Sequence, residues 1–312
     1  MNVIFMGTPD FAVPCLEYLI AEGHQITLAV TQPDKPKGRG RHMQYPPVKK
    51  AALVHGIPVF QPKRIRDPES IASLKQYPAD VIVVVAFGQI LPEEVLQYPK
   101  YGCVNVHGSL LPKYRGAAPI QWAVINGDPV SGVTTMQMDA GLDTGDILLK
   151  QEVPLAPDET GGSLFDKLSQ TGARLCAETL TALAAGTVTP VPQDESLATH
   201  TSLIRKSDGA IDFSASARSV ECLIRGMNPW PSAYTRCHGK TLKIWKAAVV
   251  SGEPEKEVPP GTVTEVRKNS FLISTGQDRL EVLEVQLEGK KRMDAGAFLR
   301  GNHLAVGDIL GQ

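Results

Sequence analysis

One stretch of the chain restricts its fold more than any other. Residues 81–86 read Val-Ile-Val-Val-Val-Ala and are apolar at every position. A strand is apolar on both faces when helices cover both, as in the centre of a parallel sheet. Apolar runs and helical spacing alternate before it: the strand runs are residues 3–6, 26–31 and 58–60, and the helical runs are residues 11–21, 48–54 and 71–76. The pattern predicts an α/β domain with a doubly wound, Rossmann-like sheet.

The length of the chain indicates a second domain. At 312 residues it exceeds the usual size of a single domain. A proline-bearing polar connector begins near residue 190, and the character of the sequence changes after residue 206. We therefore expect a first domain over residues 1–189, a linker over residues 190–206 and a second domain over residues 207–312.

Short strands predominate in the second domain. A helix with Ala217, Val220 and Ile224 on one face precedes them. The strand-like runs are residues 232–236, 241–250, 261–266, 270–274 and 279–286. Five short strands separated by turns predict a small β-barrel.

Charge and cysteine content narrow the class of protein. The net charge of −1 gives no overall sign of nucleic-acid binding, so any such contact must come from a local patch. The five cysteines are widely spaced and form no C-x-x-C pair, which favours a reduced, cytoplasmic protein without a zinc site. The first apolar run meets Gly7 and Pro9 too soon to be a signal peptide. Nothing in the sequence resembles a dimer seam, and we expect a soluble monomer.

Two turns of the first domain bear on ligand binding. Residues 7–10, Gly-Thr-Pro-Asp, stand where a dinucleotide-binding loop would be, but they lack G-x-G-x-x-G, which argues against a Rossmann cofactor. Residues 32–42 form a glycine-containing loop rich in cations, which suits contacts with phosphate, although a solvated surface loop is the alternative. Its cations are Lys35, Lys37, Arg39 and Arg41.

Polar side chains gather at the end of a further strand. Asn105 and His107 share one face of it because side chains alternate with period two, and Gly108 permits a sharp exit. A second polar segment follows a strand at residues 134–138 and carries three acids, Asp139, Asp143 and Asp146. An amide, an imidazole and a carboxylate suit acyl transfer to an amine, which needs a donor for the developing oxyanion and a route for protons.

The residue types alone leave other interpretations open. Asn105 can cap a turn and a lone histidine is more often structural. His107 with Asp143 can bind a metal, but no third ligand lies at motif spacing. Ser109 lacks the G-x-S-x-G elbow of a nucleophile. This reasoning reaches an α/β enzyme with a polar strand-end site and does not choose among the acids.

The ordered motifs NVHGSLLPKYRGAAPIQWAVINGD, MDAGLDTGDIL, GTPDFAVPCLEYL and NPWPSAYT resemble the folate-dependent formyltransferase family over both domains. The resemblance implies a formyltransferase catalytic domain and an OB-like second domain that binds tRNA. It implies Asn105, His107 and Asp143 as the catalytic residues. The residues implied to bind 10-formyltetrahydrofolate are Phe87, Gly88, Gln89, Ile90, Leu91, Ser109, Leu110, Leu111 and Pro112.

Within the family, the pattern is most similar to members that formylate the α-amine of methionine on initiator tRNA. That implies tRNA contacts by the cationic loop, with Arg39 near the acceptor end, and by second-domain cations such as Lys240 and Lys243. The alternatives are formylation of an amino sugar nucleotide or glycinamide ribonucleotide, and a non-catalytic RNA-binding relative. The cationic loop and the second domain disfavour the former, and the intact Asn-His-Asp set disfavours the latter.

Overall fold

The computed structural model describes residues 1–37, 42–252 and 258–311. The chain divides into two compact units. The first comprises Met1–Pro119, Val130–Pro154 and Phe165–Thr201, and the second comprises Ile120–Pro129, Leu155–Leu164 and the chain from Ser202 onward. Arg39 and Arg41 of the cationic loop lie outside the described residues.

Strands and helices alternate through the amino-terminal half of the first unit. In chain order they are β1 Asn2–Gly7, α1 Val13–Ala21, β2 Gln25–Val30, β3 Lys35–Lys37, β4 His42–Gln44, α2 Pro47–Val54, β5 Val59–Phe60, α3 Pro68–Leu74, β6 Val81–Val85, α4 Glu93–Leu96, β7 Cys103–His107 and β8 Arg115–Gly116. Three of the helices begin with proline in their first turn, where its missing N–H costs nothing.

The remaining elements up to residue 201 include the longest helix. They are α5 Pro119–Ile125, β9 Val130–Gln137, β10 Ile147–Pro154, α6 Gly161–Ala185 and β11 His200–Thr201. Among the described residues, no helix combines the length and apolar character that a bilayer crossing requires.

Seven strands form the main sheet in the order β10-β9-β7-β6-β1-β2-β5. The five strands from β7 to β5 are parallel, and β6 is buried at all five positions, as its apolar sequence predicts. Pairing of Gly7 with Val85 and of Val84 with Asn105 brings the carboxyl ends of β1, β6 and β7 to one edge of the sheet. Ligands of open α/β sheets bind at this edge.

Two antiparallel strands complete the sheet: β9, which contains most of the strand predicted at residues 134–138, and β10, which was not anticipated. β9 pairs antiparallel with β7, so the loop after β9 starts near the amino end of β7 and returns toward Asn105. β10 pairs with β9 and was missed because its second half is exposed and polar, with Lys150, Gln151 and Glu152 in sequence. The cationic loop also differs from expectation, because Lys35–Lys37 and His42–Gln44 pair as a short hairpin.

Part of the stretch expected as a linker packs on the first unit. Val191 exchanges both backbone hydrogen bonds with Ile147, at 2.8 and 2.9 Å. Further along, His200 and Thr201 pair with Arg115 and Gly116. Residues 190–201 are therefore hydrogen-bonded to β10 and β8 of the first unit.

The second unit contains an antiparallel sheet, with one helix before its strands in the chain and one after them. Its elements are α7 Ala217–Gly226, β12 Ala233–Cys237, β13 Lys240–Val250, β14 Val263–Val266, β15 Phe271–Ser274, β16 Arg279–Leu287, β17 Met293–Asp294 and α8 Ala295–Gly301. The strand order is β12-β13-β16-β15-β14, with β17 on β16. All five predicted strand runs are strands. The predicted fold class is confirmed: an α/β domain is followed by a small β domain. Within the described residues, the strands of the domain expected to be OB-like pair as an antiparallel sheet.

Candidate active site

The strand-end pair lies on β7, as the alternation predicts. Val104 and Val106 are buried in the sheet, and Asn105 is half-buried on the opposite face. His107 is 7% exposed, and its Nε2 lies 2.9 Å from the carbonyl oxygen of Tyr114. A carbonyl oxygen only accepts, so Nε2 carries the proton of this contact.

Asp143 reaches both of these side chains. Its Oδ1 lies 3.5 Å from Asn105 Nδ2, and its Oδ2 lies 3.7 Å from His107 Nδ1. The backbone N–H of Gly116 donates to Oδ2 at 2.7 Å, which anchors the carboxylate independently of the pair. Asp139 instead accepts hydrogen bonds from Gly141 N and Thr144 Oγ1 inside its own loop. The structure therefore brings Asn105, His107 and Asp143 together.

Two polar residues that sequence reasoning missed hold the Asp143 loop. Gln193 Nε2 donates to the carbonyl oxygens of Asp143 and Gly145, at 2.8 Å each. Arg115, whose side chain is 2% exposed, donates to Gln193 Oε1 and forms two hydrogen bonds with Glu195. The hydrogen bonds with Glu195 raise the pKa of the Arg115 guanidinium, and they lower the pKa of the Glu195 carboxyl.

The first predicted folate segment follows β6. Ala86 and Gly88 have φ of 48° and 82°, so the chain turns sharply on either side of buried Phe87. The Phe87 carbonyl accepts from Thr8 Oγ1 at 3.2 Å and Gln32 Nε2 at 3.1 Å, which ties the ends of β1, β2 and β6 together. Gln89 Oε1 accepts from the N–H of Ile65 at 2.7 Å, and Leu91 packs in the core. Ile90, 78% exposed, and Gly88 are the members of this segment that are open to solvent.

The second predicted folate segment is a turn fastened to the sheet. Ser109 Oγ donates to the carbonyl of Lys113 at 2.7 Å, and Thr134 Oγ1 donates to the carbonyl of Ser109 at 2.7 Å. Thr134 also accepts from the N–H of Leu111, whose carbonyl accepts from Lys150 Nζ. The Ser109 hydroxyl is thus engaged with backbone, and Leu110–Pro112 are held as one wall beside His107.

The predicted tRNA contacts fall partly in the first unit and partly in the second. Lys35 is exposed on the β3–β4 hairpin, and the structure describes only the backbone of Lys37. Lys240 is exposed and Lys243 half-buried on β13 of the second unit. Lys243 Nζ and Arg292 Cζ lie 5.7 and 4.7 Å from the centre of the Trp245 ring, forming a cation-aromatic surface.

Other candidate features of the described chain contribute nothing to this site. The five cysteines are buried and free, and burial raises the pKa of Cys103 to about 12. Within residues 1–37, 42–252 and 258–311, no three His, Cys, Asp or Glu side chains are grouped to hold a metal ion. Two surface grooves of about 250 and 330 Å³ are lined largely by α6, and neither includes Asn105, His107 or Asp143.

Comparison with known proteins identifies the family. Residues 1–180 match the family model described as formyl transferase, and residues 203–303 match that of the formyl transferase C-terminal domain. The methionyl-tRNA formyltransferase of Agathobacter rectalis is 59% identical over 309 residues, covering 99% of each chain. That of Lachnospira eligens is 58% identical over 315 residues, covering all of both chains.

The fold has a counterpart among solved structures. An N-formyltransferase from Helicobacter canadensis, in complex with folinic acid and dTDP-3-aminofucose, superposes with a TM-score of 0.66 at 18% identity, covering 93% of this chain and 99% of its own. At that identity the likeness concerns the fold, whereas the full-length matches to the two relatives concern the sequence. The chain therefore belongs to the formyl transferase family, among the methionyl-tRNA formyltransferases.

Proposed function

We propose that this chain transfers the formyl group of 10-formyltetrahydrofolate to the α-amino group of methionyl initiator tRNA. The single observation that carries the chemistry is that the Asp143 carboxylate lies 3.5 Å from the Asn105 amide and 3.7 Å from the His107 imidazole. The full-length identity with two methionyl-tRNA formyltransferases supports the acceptor.

The proposed reaction is a direct transfer. The neutral α-amine attacks the formyl carbon, a C–N bond forms, and the carbonyl oxygen becomes an oxyanion. The bond from the formyl carbon to N10 of the folate then breaks. The amine loses one proton and N10 gains one, so the products are N-formylmethionyl-tRNA and tetrahydrofolate. No side-chain nucleophile is needed, and holding both substrates together supplies much of the acceleration.

Asn105 is proposed to donate to the oxyanion. One of its two amide N–H groups points toward Asp143 Oδ1 at 3.5 Å, which is a long contact. The other N–H is available to a developing negative charge. Removal of one such donor typically costs about 10²–10³-fold in turnover.

His107 is proposed to assist at the same oxygen or to move the proton from amine to leaving nitrogen. With Nε2 directed at the Tyr114 carbonyl, Nδ1 faces the Asp143 carboxylate. A carboxylate there orients the imidazole and stabilises its protonated form during transfer. The Gly116 N–H keeps that carboxylate in place.

Two walls are proposed to receive the folate. Phe87 to Leu91 supply a sharply turned backbone with buried Phe87 and exposed Ile90, and Ser109 to Pro112 supply a wall fastened to β9. Apolar walls with few polar groups suit a flat heteroaromatic ring. The proposed chemistry needs no metal, because the side chains of Asn105 and His107 are proposed to stabilise the oxyanion.

The tRNA is proposed to contact both domains. Residues 1–189 would carry the chemistry, residues 190–206 would link the domains, and residues 207–312 would bind tRNA. Lys35, Lys37, Arg39 and Arg41 would meet the acceptor end, and Lys240 and Lys243 the backbone beyond it. We expect a monomer acting in the cytoplasm, where initiator tRNA is charged and used.

Substitution of His107 tests the proposed chemistry. His107→Ala should lower the rate of a single turnover by about 10²–10⁴-fold, the usual contribution of general acid–base catalysis. Tetrahydrofolate binding should change little, because the walls that receive it are held by other contacts. A variant with the wild-type rate would remove His107 from the mechanism, and a variant that has lost folate binding would assign it to binding.

A further inference from the structure

The side chain of Gln193 occupies an unusual position in the described chain. Its Nε2 donates to the carbonyl oxygens of Asp143 and Gly145, two residues of one turn, at 2.8 Å each. Its Oε1 accepts from Arg115 Nε at 3.1 Å and Nη2 at 2.9 Å. A side-chain amide has two N–H groups and one oxygen with two lone pairs, so every hydrogen-bonding position of Gln193 is used.

The partners also fix which way the amide points. Carbonyl oxygens only accept and a guanidinium only donates, so exchanging the oxygen and nitrogen of Gln193 would break all four contacts. Arg115 is itself immobilised, because its buried guanidinium forms hydrogen bonds of 2.9 and 2.7 Å with the Glu195 carboxylate.

The same short strand restrains the Asp143 loop at two points. In β8, Arg115 holds Gln193, which holds the loop backbone, and Gly116 donates its N–H to the Asp143 carboxylate. Apolar packing contributes little to this loop, since Leu142 is 60% exposed. Asp143 also has a φ of 56°, a left-handed conformation that most residues other than glycine adopt only at a cost and that aspartate tolerates better than most. Polar contacts therefore hold the carboxylate where Asn105 and His107 meet it.

We propose that Gln193 is a positioning residue for formyl transfer, acting by holding the backbone on both sides of Thr144 so that the Asp143 carboxylate faces His107. The proposal rests on the proposed function of Asp143. Gln193→Met is nearly isosteric and removes all four hydrogen bonds. Because a displacement of about 1 Å at a reacting group can cost about 10²-fold, we expect a 10- to 100-fold lower single-turnover rate with little change in KM for either substrate.

A second variant separates positioning from a structural role. Gln193→Glu keeps acceptor oxygens for Arg115 but replaces the two N–H donors with a carboxylate facing two carbonyl oxygens. If Gln193 serves only to pair Arg115, Gln193→Glu will retain the wild-type rate. If it positions Asp143, Gln193→Glu will be at least as slow as Gln193→Met. Gln151→Met is the matched control, since the Gln151 amide donates to the carbonyl of its neighbour Glu152 on β10, and it should keep the wild-type rate.

The decisive experiment is a double-mutant cycle with Asp143→Asn, in which single-turnover formylation of methionyl-tRNA, tetrahydrofolate binding and thermal unfolding are measured for each variant. We expect Gln193→Met to slow the wild type but not the Asp143→Asn variant, because it acts through that carboxylate. Two results would overturn the inference about Gln193 while leaving the proposed role of Asp143 intact. One is an equal loss of rate on Gln193→Met in the wild type and in Asp143→Asn, and the other is a wild-type rate for Gln193→Met while Asp143→Asn is impaired. A wild-type rate for Asp143→Asn would overturn the proposed role of Asp143 and the inference with it.

Discussion

Gly145 offers a severe test of how the Asp143 loop is held. A Cβ at this position would overlap the carbonyl oxygen of Gln137 and would lie 2.9 Å from its carbonyl carbon and 3.3 Å from the nitrogen of Asp139. The obstacle is backbone, and it cannot easily move away. Gln137 is paired with Val104 of β7, and the next residue, Met138, donates its N–H to the Cys103 carbonyl at 2.8 Å. Gly145→Ala must therefore displace the loop.

The displacement can be estimated from these contacts. Carbon atoms pack at about 3.5–4.0 Å, so relieving the contact with the Gln137 carbonyl carbon alone takes a shift on the order of 1 Å, and the overlap with the oxygen requires a larger one. Such a shift would lengthen the 2.7 Å contact between Asp143 Oδ2 and Gly116 N beyond hydrogen-bonding range. We expect the single-turnover formylation rate to fall by about 10²-fold, equivalent to about 2.7 kcal/mol. Overpacking should also cost about 1–3 kcal/mol in the free energy of unfolding.

Single-turnover formylation and urea unfolding measure the two effects separately. Gly301→Ala is the matched control, because no atom lies within 4 Å of an added Cβ at that helical position. It should leave formylation unchanged and alter stability by no more than about 1 kcal/mol. A Gly145→Ala variant with the wild-type rate and stability would refute the reasoning that this loop has one tolerated conformation.

Two further predictions concern pH and salt. Burial raises the pKa of Cys103 from 9.0 to about 12, so the folded chain keeps a proton that the unfolded chain loses. The stabilisation that comes from this retained proton is fully present below pH 9 and is lost as pH rises toward 12. The free energy of unfolding should therefore fall by up to about 1.4 kcal/mol per pH unit over that range. Cys103→Ala should not show this fall. Lys243→Gln should weaken tRNA binding and reduce its dependence on salt concentration by about one counterion, whereas Lys268→Gln, in the exposed turn between β14 and β15, should not.

The sequence predicts well those parts of the fold in which burial determines the residue types of a continuous stretch. β6 is buried at all five positions and all its side chains are apolar, so the run at residues 81–86 identified it. Residues 105 and 107 were assigned to one face by period-two alternation alone. β10 shows no such apolar pattern, because it is an edge strand whose exposed half has a polar sequence, Lys150-Gln151-Glu152.

The hydrogen bonds that hold the Asp143 loop could not be predicted from the neighbouring sequence. Gln193 contacts residues 48 and 50 positions earlier in the chain, and nothing in the neighbouring sequence distinguishes it from a polar connector residue. Spacing also could not choose among Asp139, Asp143 and Asp146. That choice depends on the antiparallel course of β9, which returns the loop to Asn105 and His107.

The measurement that tests the central claim most directly is the time course of N-formylmethionine formation with purified protein, 10-formyltetrahydrofolate and methionyl initiator tRNA, beside an amino sugar nucleotide as competing acceptor. The account predicts formylation of the methionyl-tRNA, a rate at least about 10²-fold lower for Asn105→Ala, and little product on the sugar. Formylation of the sugar with none of the methionyl-tRNA would contradict the proposed acceptor. A wild-type rate for Asn105→Ala would contradict the proposed chemistry.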